Sequence, residues 1–163
     1  MKIIKIVVVL IALLFVTPLF AQNAPSGKPA DNKQLLMDKI KADKKLIVAE
    51  NMQLTETEAR GFWPVYEAYQ KDLRAVNDRT AAMIKAYADA WNTKSINNEK
   101  AKKMTAQMLA IQEDEVKLMK SYVPKLSKVL SAVKVARYLQ IENKIRAMVK
   151  YELVEAIPLV PGK

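Results

Sequence analysis

Between positions 54 and 90, aromatic, aliphatic and small residues recur at alternating steps of four and three. The members of this seam are Phe62, Tyr66, Tyr69, Leu73, Val76, Thr80, Met83, Tyr87 and Ala90. Such spacing keeps side chains on one side of a helix and predicts a long helix packed on other helices. Thr55 and Glu58 mark its start, because each side chain can bond the backbone amide of the other. We expect this helix to cover residues 56–92.

Three further stretches have helical periodicity, and none alternates convincingly as a strand would. A first helix is expected over residues 33–51, with Leu36, Ile40 and Ile47 on one face. Another is expected to begin near Asn98 and to carry a second apolar stripe beside its main seam. The main seam is Ala101, Met104, Met108, Ile111, Glu115, Leu118 and Tyr122, and the second stripe is Val116, Met119, Val123 and Leu126.

The last helix is expected over residues 131–156. Its core side is formed by Tyr138, Ile141, Ile145, Met148 and Val149.

Prolines disturb the two helices before the last one, because proline lacks the amide proton and crowds the carbonyl four residues back. We therefore expect a kink near Arg60–Pro64 or a short separate turn before the main helix, and a bend or break at Pro124. The fold class predicted is all-α, an elongated, bent four-helix hairpin or bundle that pairs as a curved dimer to cover its remaining apolar surface.

The start of the chain has the layout of a secretory signal. Lys2 and Lys5 precede an apolar run that ends near Ala21, and the run is shorter than the roughly 20 residues that span a bilayer. The alternative is an uncleaved anchor. We expect a signal peptide over residues 1–21, a flexible linker over 22–32, one helical domain over 33–157 and a loose tail over 158–163. Export without cysteine favours a periplasmic location.

Composition excludes several kinds of chemistry. The chain has no His and no Cys, so catalytic triads and zinc sites built on those residues are impossible. Met104 and Met108 lie one turn apart, but methionine is a common core filler, and we predict no copper site there. The acidic run 113–115 points in several directions, so no metal site and no cofactor are predicted. No acid–base pair is placed beside an electrophile, and we predict that the protein is not an enzyme.

Positive charge is concentrated in the second half of the chain. Without Lys2 and Lys5, 25 basic and 17 acidic residues remain, a net charge of +8. Residues 117–150 have this same excess, with nine basic residues and one acid, Glu142. The basic residues are Lys117, Lys120, Lys125, Lys128, Lys134, Arg137, Lys144, Arg146 and Lys150. They form either a surface for acidic partners or a solvated face that keeps the protein soluble. Nucleic acid is disfavoured, because no nucleic-acid motif appears and the aromatic residues lie on the core seam.

The residues at the helix start also resemble a known family. Leu54-Thr55-Glu56-Thr57-Glu58 is similar to the Leu-Thr-x-x-Gln signature of the Spy/CpxP-like (LTxxQ motif) periplasmic helical proteins, with Glu for Gln. Leu130 and Ser131 begin a second, degraded copy in which Lys134 replaces Gln and cannot accept the reciprocal bond. The resemblance implies a bent four-helix hairpin that dimerises. It also implies an ATP-independent chaperone or a regulator of envelope-stress signalling.

We therefore predict a periplasmic client-binding protein, a holdase-like chaperone or envelope-stress accessory protein. Its partners would be unfolded or envelope proteins and a second copy of the chain. Long-range attraction by the nine basic residues would precede contact with apolar side chains. Trp63, which lies off the main seam, either packs internally or contributes to client binding. The alternatives are a regulatory module for one envelope sensor protein and a binder of anionic membrane surfaces.

Overall fold

The computed structural model describes residues 43–162, and every regular element in that range is a helix. The described part of the first helix, α1, covers residues 43–52. It is followed by α2 (Glu56–Asn92), α3 (Asn98–Ser127) and α4 (Ala132–Ala156). The all-α prediction is confirmed. The predicted signal peptide, the linker and the positions Leu36 and Ile40 lie outside the described residues.

Two prolines lie inside these helices without ending them. Pro64 lies in α2 and Pro124 in α3, and both helices run on past the proline. Of the expected alternatives, a separate turn near Pro64 and a break at Pro124 are therefore wrong, and a kink or bend at either proline stays a prediction. Both prolines are exposed. On the solvent side of a helix, the carbonyl that each proline leaves unbonded can be hydrated, which lowers the cost of the missing hydrogen bond.

The buried face of α2 follows the predicted seam in its first half and again at Ala90, which is buried. Phe62, Tyr66, Tyr69 and Leu73 are buried as expected. Further along, Ile84 and Ala88 are buried, whereas the predicted Met83 and Tyr87 are only half-buried. A heptad repeat assumes 3.5 residues per turn, but a straight helix has about 3.6, so the buried stripe drifts by about 20° per heptad. The predicted four-heptad seam is therefore wrong at Met83 and Tyr87, which lie beside the buried stripe.

A short turn connects α2 to α3. The Thr93 hydroxyl donates to the Asp89 carbonyl at 2.8 Å, and Lys94 adopts a left-handed conformation with φ 51°. The Asn97 side chain then accepts from the Lys100 amide at 2.9 Å and caps α3. This confirms the predicted start near Asn98. Because so few residues connect them, α2 and α3 pack side by side as a helical hairpin.

The described residues form two compact units. The hairpin unit comprises residues 54–137 and 159–162, and the small unit comprises residues 43–53 and 138–158. The start of α4 therefore belongs to the hairpin unit and the rest of α4 to the small unit. Residues 158–162 have no regular secondary structure.

Buried apolar residues lie in both units. In the hairpin unit, α3 contributes Ile111, Tyr122 and Leu126, which alternate with exposed residues along the helix. Met108, predicted on the same seam, is 39% exposed, so its assignment to the core is wrong, and Val116 of the second stripe is 49% exposed. The remaining seam residues of α3 are half-buried.

The small unit contains fewer buried apolar side chains. They are Val48 and Met52 from α1 and Tyr138 and Ile145 from α4. Met148, predicted on the core side of the last helix, is 51% exposed, and this prediction is wrong. On a helix, Met148 is rotated by about 80° from Tyr138, beyond the edge of the buried stripe.

Candidate functional site

The predicted helix-start motif has the expected geometry. The Glu58 amide donates to the Thr55 hydroxyl at 3.3 Å, and the Thr55 amide donates to the Glu58 carboxylate at 2.8 Å. Both halves of the capping box are thus present. This arrangement satisfies two of the backbone amides that a helix leaves unbonded at its first turn.

The second motif copy forms only half of such a box. The Lys134 amide donates to the Ser131 hydroxyl at 3.4 Å, a long hydrogen bond. The Lys134 side chain, which cannot accept a bond, extends instead to the Glu58 carboxylate and forms an ion pair with it. One side chain therefore joins the two motif copies, and with them the starts of α2 and α4.

This ion pair has an electrostatic consequence. The hydrogen bond from Lys134, assisted by the Thr55 amide, lowers the pKa of Glu58 below its ordinary value of 4.5. Lys134 and Glu58 are both half-buried. Lys134, a predicted client-binding residue, is therefore engaged within the fold.

The turn before α4 also packs closely against the start of α2. A Cβ atom added at Gly61 would lie 2.8 Å from Cγ1 and 2.9 Å from Cβ of Val129. Leu130, the first residue of the degraded motif, is buried, and Leu54 is half-buried. The motif residues Leu54, Thr55, Glu58, Leu130 and Ser131 thus act as caps and packing groups at one junction of the hairpin unit.

Trp63 belongs to an aromatic cluster near this junction. Its ring is 5.1 Å from that of Phe62 and 5.4 Å from that of Tyr66, both in edge-to-face geometry. Such pairs contribute about 0.5–1.5 kcal/mol beyond the area that they bury. Trp63 is half-buried, which fits the packing interpretation better than the client-binding one.

Tyr122 occupies the centre of a second polar and aromatic cluster. Its hydroxyl donates to the Asp72 carboxylate at 2.6 Å, and its ring contacts Tyr69 edge-on at 5.2 Å. Burial, followed by the hydrogen bond to Asp72, raises the pKa of Tyr122 to about 12. The Lys125 ammonium lies 3.9 Å from the centroid of the Tyr122 ring, so this predicted client-binding cation is held in a cation–π contact.

Ion pairs along α2 and α3 hold several other charges. Arg79 bonds Asp114 at 2.6 Å, which lowers the pKa of Asp114. Lys117 bonds Glu113 of its own helix at 2.9 Å, which raises the pKa of Lys117. Both pairs are well exposed, and exposed pairs of this kind contribute little to stability.

The remaining predicted cations do not share one face. With a rotation of 100° per residue, Lys120 is separated from Lys125 by about 140° around α3, and Lys144 from Lys150 by about 120° around α4. Arg146 is half-buried, whereas Lys120, Lys128, Arg137, Lys144 and Lys150 are exposed. Within each helix the basic side chains are therefore distributed around the circumference, which favours solvation for part of this charge.

The second half of α4 combines exposed cations with exposed apolar side chains. Met148, Tyr151 and Val154 are 51%, 64% and 74% exposed, and they follow one another at steps of three. Lys144 and Lys150 are exposed too, and each lies about 120° around α4 from the buried Tyr138. We call these five residues the α4 patch. Sequence reasoning placed Met148 in the core and overlooked Tyr151 and Val154.

A buried ion pair also escaped sequence reasoning. The Glu142 side chain is 1% exposed and accepts from the Lys44 ammonium at 2.9 Å. Both residues belong to the small unit. Glu142 stands out in the sequence as the sole acid of residues 117–150, and an isolated acid among apolar neighbours is a signal of a buried pair.

Other kinds of site receive no support from the described residues. Residues 43–162 contain no group of three or more His, Cys, Asp or Glu side chains that could hold a metal ion. No helix within that range is long and apolar enough to cross a membrane. Comparison of the chain with family models, with curated proteins and with solved structures found no match.

Proposed function

We propose that the protein binds unfolded or partly folded protein clients, in the manner of an ATP-independent holdase, and that the α4 patch makes first contact with them. The supporting observation is the exposure of Met148, Tyr151 and Val154 beside Lys144 and Lys150. Exposed apolar side chains in succession are typical of interaction surfaces. Client segments with apolar and acidic residues fit this chemistry best.

Two physical steps make up the mechanism. Lys144 and Lys150 attract acidic segments over distances of about 10 Å, which is the screening length at moderate salt. The methionine and the tyrosine then contact apolar groups of the client, and the unbranched, polarisable methionine adapts to different shapes. Because little client surface is enclosed, we expect binding to be weak and reversible.

The test is light scattering of an aggregating client at a stoichiometric amount of the protein. We expect suppression by the unmodified chain and its loss in the variant Met148→Ser/Tyr151→Ser/Val154→Ser. The matched control is Val133→Ser, because Val133 is 78% exposed but lies in the hairpin unit. Equal suppression by the triple variant would exclude the α4 patch, and no suppression by the unmodified chain would overturn the proposed function.

The role of charge is tested separately. Lys144→Glu/Lys150→Glu should slow client capture at low salt, and the difference should shrink as salt is added. Lys128→Glu serves as control, because Lys128 is exposed and lies outside the patch. An unchanged association rate would remove the steering step. Salt-sensitive sedimentation with anionic vesicles in place of client binding would favour the membrane-surface alternative.

A further inference from the structure

One flank of α3 carries apolar side chains that the hairpin unit leaves open. Leu109 is 55% exposed and Val116 is 49% exposed, while Met119 and Val123 are half-buried. On the helix these residues lie about 60–140° from Tyr122, which marks the buried face. They form a separate flank beside the contact between α2 and α3.

The spacing of this flank is that of a helix–helix seam. Leu109, Gln112, Val116, Met119 and Val123 alternate at steps of three and four, as the inner positions of a coiled coil do. Four of the five are apolar. The flank therefore matches the geometry of another long helix laid along α3, and we call it the α3 seam.

Charges beside the α3 seam indicate which helix fits. Glu113 and Lys120 occupy equivalent positions, each directly after an inner residue, Gln112 and Met119. When two copies of such a helix pair in antiparallel orientation, equivalent flanking positions face each other. In one register, Val116 packs on Met119 of the second copy and Glu113 faces Lys120 of the second copy, and two-fold symmetry repeats both contacts.

Other arrangements are less favourable electrostatically. An antiparallel pair shifted by one heptad places Glu113 opposite Glu113 of the second copy, which is repulsive. Parallel pairing sets the acidic run 113–115 beside the same run of the second copy. The antiparallel register sets that run beside Lys117 and Lys120 instead. Lys120 is exposed and makes no hydrogen bond or ion pair with the residues that the structure describes.

We propose that the α3 seam is the interface of a two-fold symmetric, antiparallel pair of chains, centred between Lys117 and Leu118. A homodimer was expected from the sequence, and what the structure adds is its face, its orientation and its register. The proposal is independent of the α4 patch, which lies in the small unit.

The mass of the protein in solution and a charge-reversal variant of Lys120 give the first test. Light scattering coupled to size-exclusion chromatography should give a dimer mass for the full chain, and a monomer at all accessible concentrations overturns the proposal. Lys120→Glu should raise the dimer dissociation constant by roughly tenfold, because it replaces two attractive contacts with two repulsive ones. Glu113→Lys/Lys120→Glu should restore dimerisation. If the double variant is as weak as the single one, the register is wrong.

Cross-linking gives the second test, because the chain has no cysteine of its own. A mixture of Val116→Cys and Met119→Cys proteins should form a disulfide-linked pair under mild oxidation. Efficient cross-linking of Leu109→Cys with Met119→Cys would indicate the shifted register, and self-cross-linking of Val116→Cys alone would indicate parallel pairing. Either of these results overturns the proposed interface. Because Leu109 and Val116 are exposed, replacing them removes no buried contact, and circular dichroism checks that each variant folds.

Discussion

Gly61 offers a direct test of the junction between the two helix starts. In an open helix, Gly→Ala stabilises by about 1 kcal/mol, because glycine loses more backbone entropy on folding. At this position the new Cβ would lie 2.8 Å from Cγ1 of Val129 and 2.9 Å from its Cβ. Valine is stiff at its first side-chain torsion and cannot swing away, so backbone must move. Overpacking of this kind costs about 1–3 kcal/mol.

The clash should outweigh the gain in helix propensity, and we expect Gly61→Ala to lower the free energy of unfolding by about 1 kcal/mol. For a chain of this size that corresponds to a fall in Tm of about 3 °C. Urea denaturation followed by circular dichroism measures it. Gly162→Ala is the matched control, because nothing lies within 4 Å of the added atom. Val129→Gly should make Gly61→Ala stabilising, since it removes both contacting atoms.

The outcome that refutes this reasoning is a Gly61→Ala protein more stable than the unmodified chain by about 1 kcal/mol, the value for an uncrowded helix position. It would mean that Val129 does not pack on the first turns of α2.

Three further predictions concern titratable side chains. The fold lowers the pKa of Glu58, so its ion pair with Lys134 stabilises the folded state at pH values above the ordinary pKa of 4.5. This stabilisation is lost as the pH falls through the lowered pKa. Glu58→Gln should therefore be less stable than the unmodified chain at neutral pH and equally stable at about pH 2 in urea titrations; a difference independent of pH would contradict this. Absorbance titration of the six tyrosines should show one group that ionises near pH 12 and that is absent in Tyr122→Phe. The free energy of unfolding should fall as the pH rises above 10.0, because Tyr122 ionises at lower pH in the unfolded chain than in the fold. Glu142→Ala leaves the Lys44 ammonium without this buried partner and should cost about 3 kcal/mol in urea denaturation. Lys44→Met/Glu142→Leu should recover most of that loss, and equal instability of the single and double variants would argue against a buried pair.

Several features of the fold could be predicted from local sequence because their causes are local. The capping box of Thr55 and Glu58 involves residues three positions apart, and its two hydrogen bonds follow once the helix forms. The cap at Asn97 has the same short range. The limits of α2 and the start of α3 agree with the sequence prediction for this reason.

Other features were predicted incorrectly because a local rule ignores the surroundings. A separate turn near Pro64 and a break at Pro124 were among the expected alternatives, but both helices continue past these exposed prolines, where water can replace the missing backbone bond. The seam beyond Leu73 was extended with a heptad period, whereas the helix follows its own period of about 3.6 residues. Met148 was assigned to the core on spacing alone, and only packing shows that the buried stripe ends beside it.

The candidate binding residues were the least predictable part. The sequence shows that the excess positive charge lies in residues 117–150. It could not show that Lys134 bonds Glu58 or that Lys125 lies over the Tyr122 ring. Each of these contacts depends on which side chains meet across a helix–helix interface or within one turn. Lys134 and Lys125, two predicted client-binding cations, therefore make contacts within the fold.

The sequence by itself determined that this chain is helical, where α2 begins and that no disulfide or histidine chemistry can operate. These properties depend on residue type and on spacings of three or four positions, which act within one or two helical turns. The tertiary structure alone decided that Glu142 is buried against Lys44, that Lys134 joins two helix starts, and that Val116, Met148, Tyr151 and Val154 stay exposed. Burial and pairing between distant positions depend on which faces meet, and the pattern of a single helix does not carry that information.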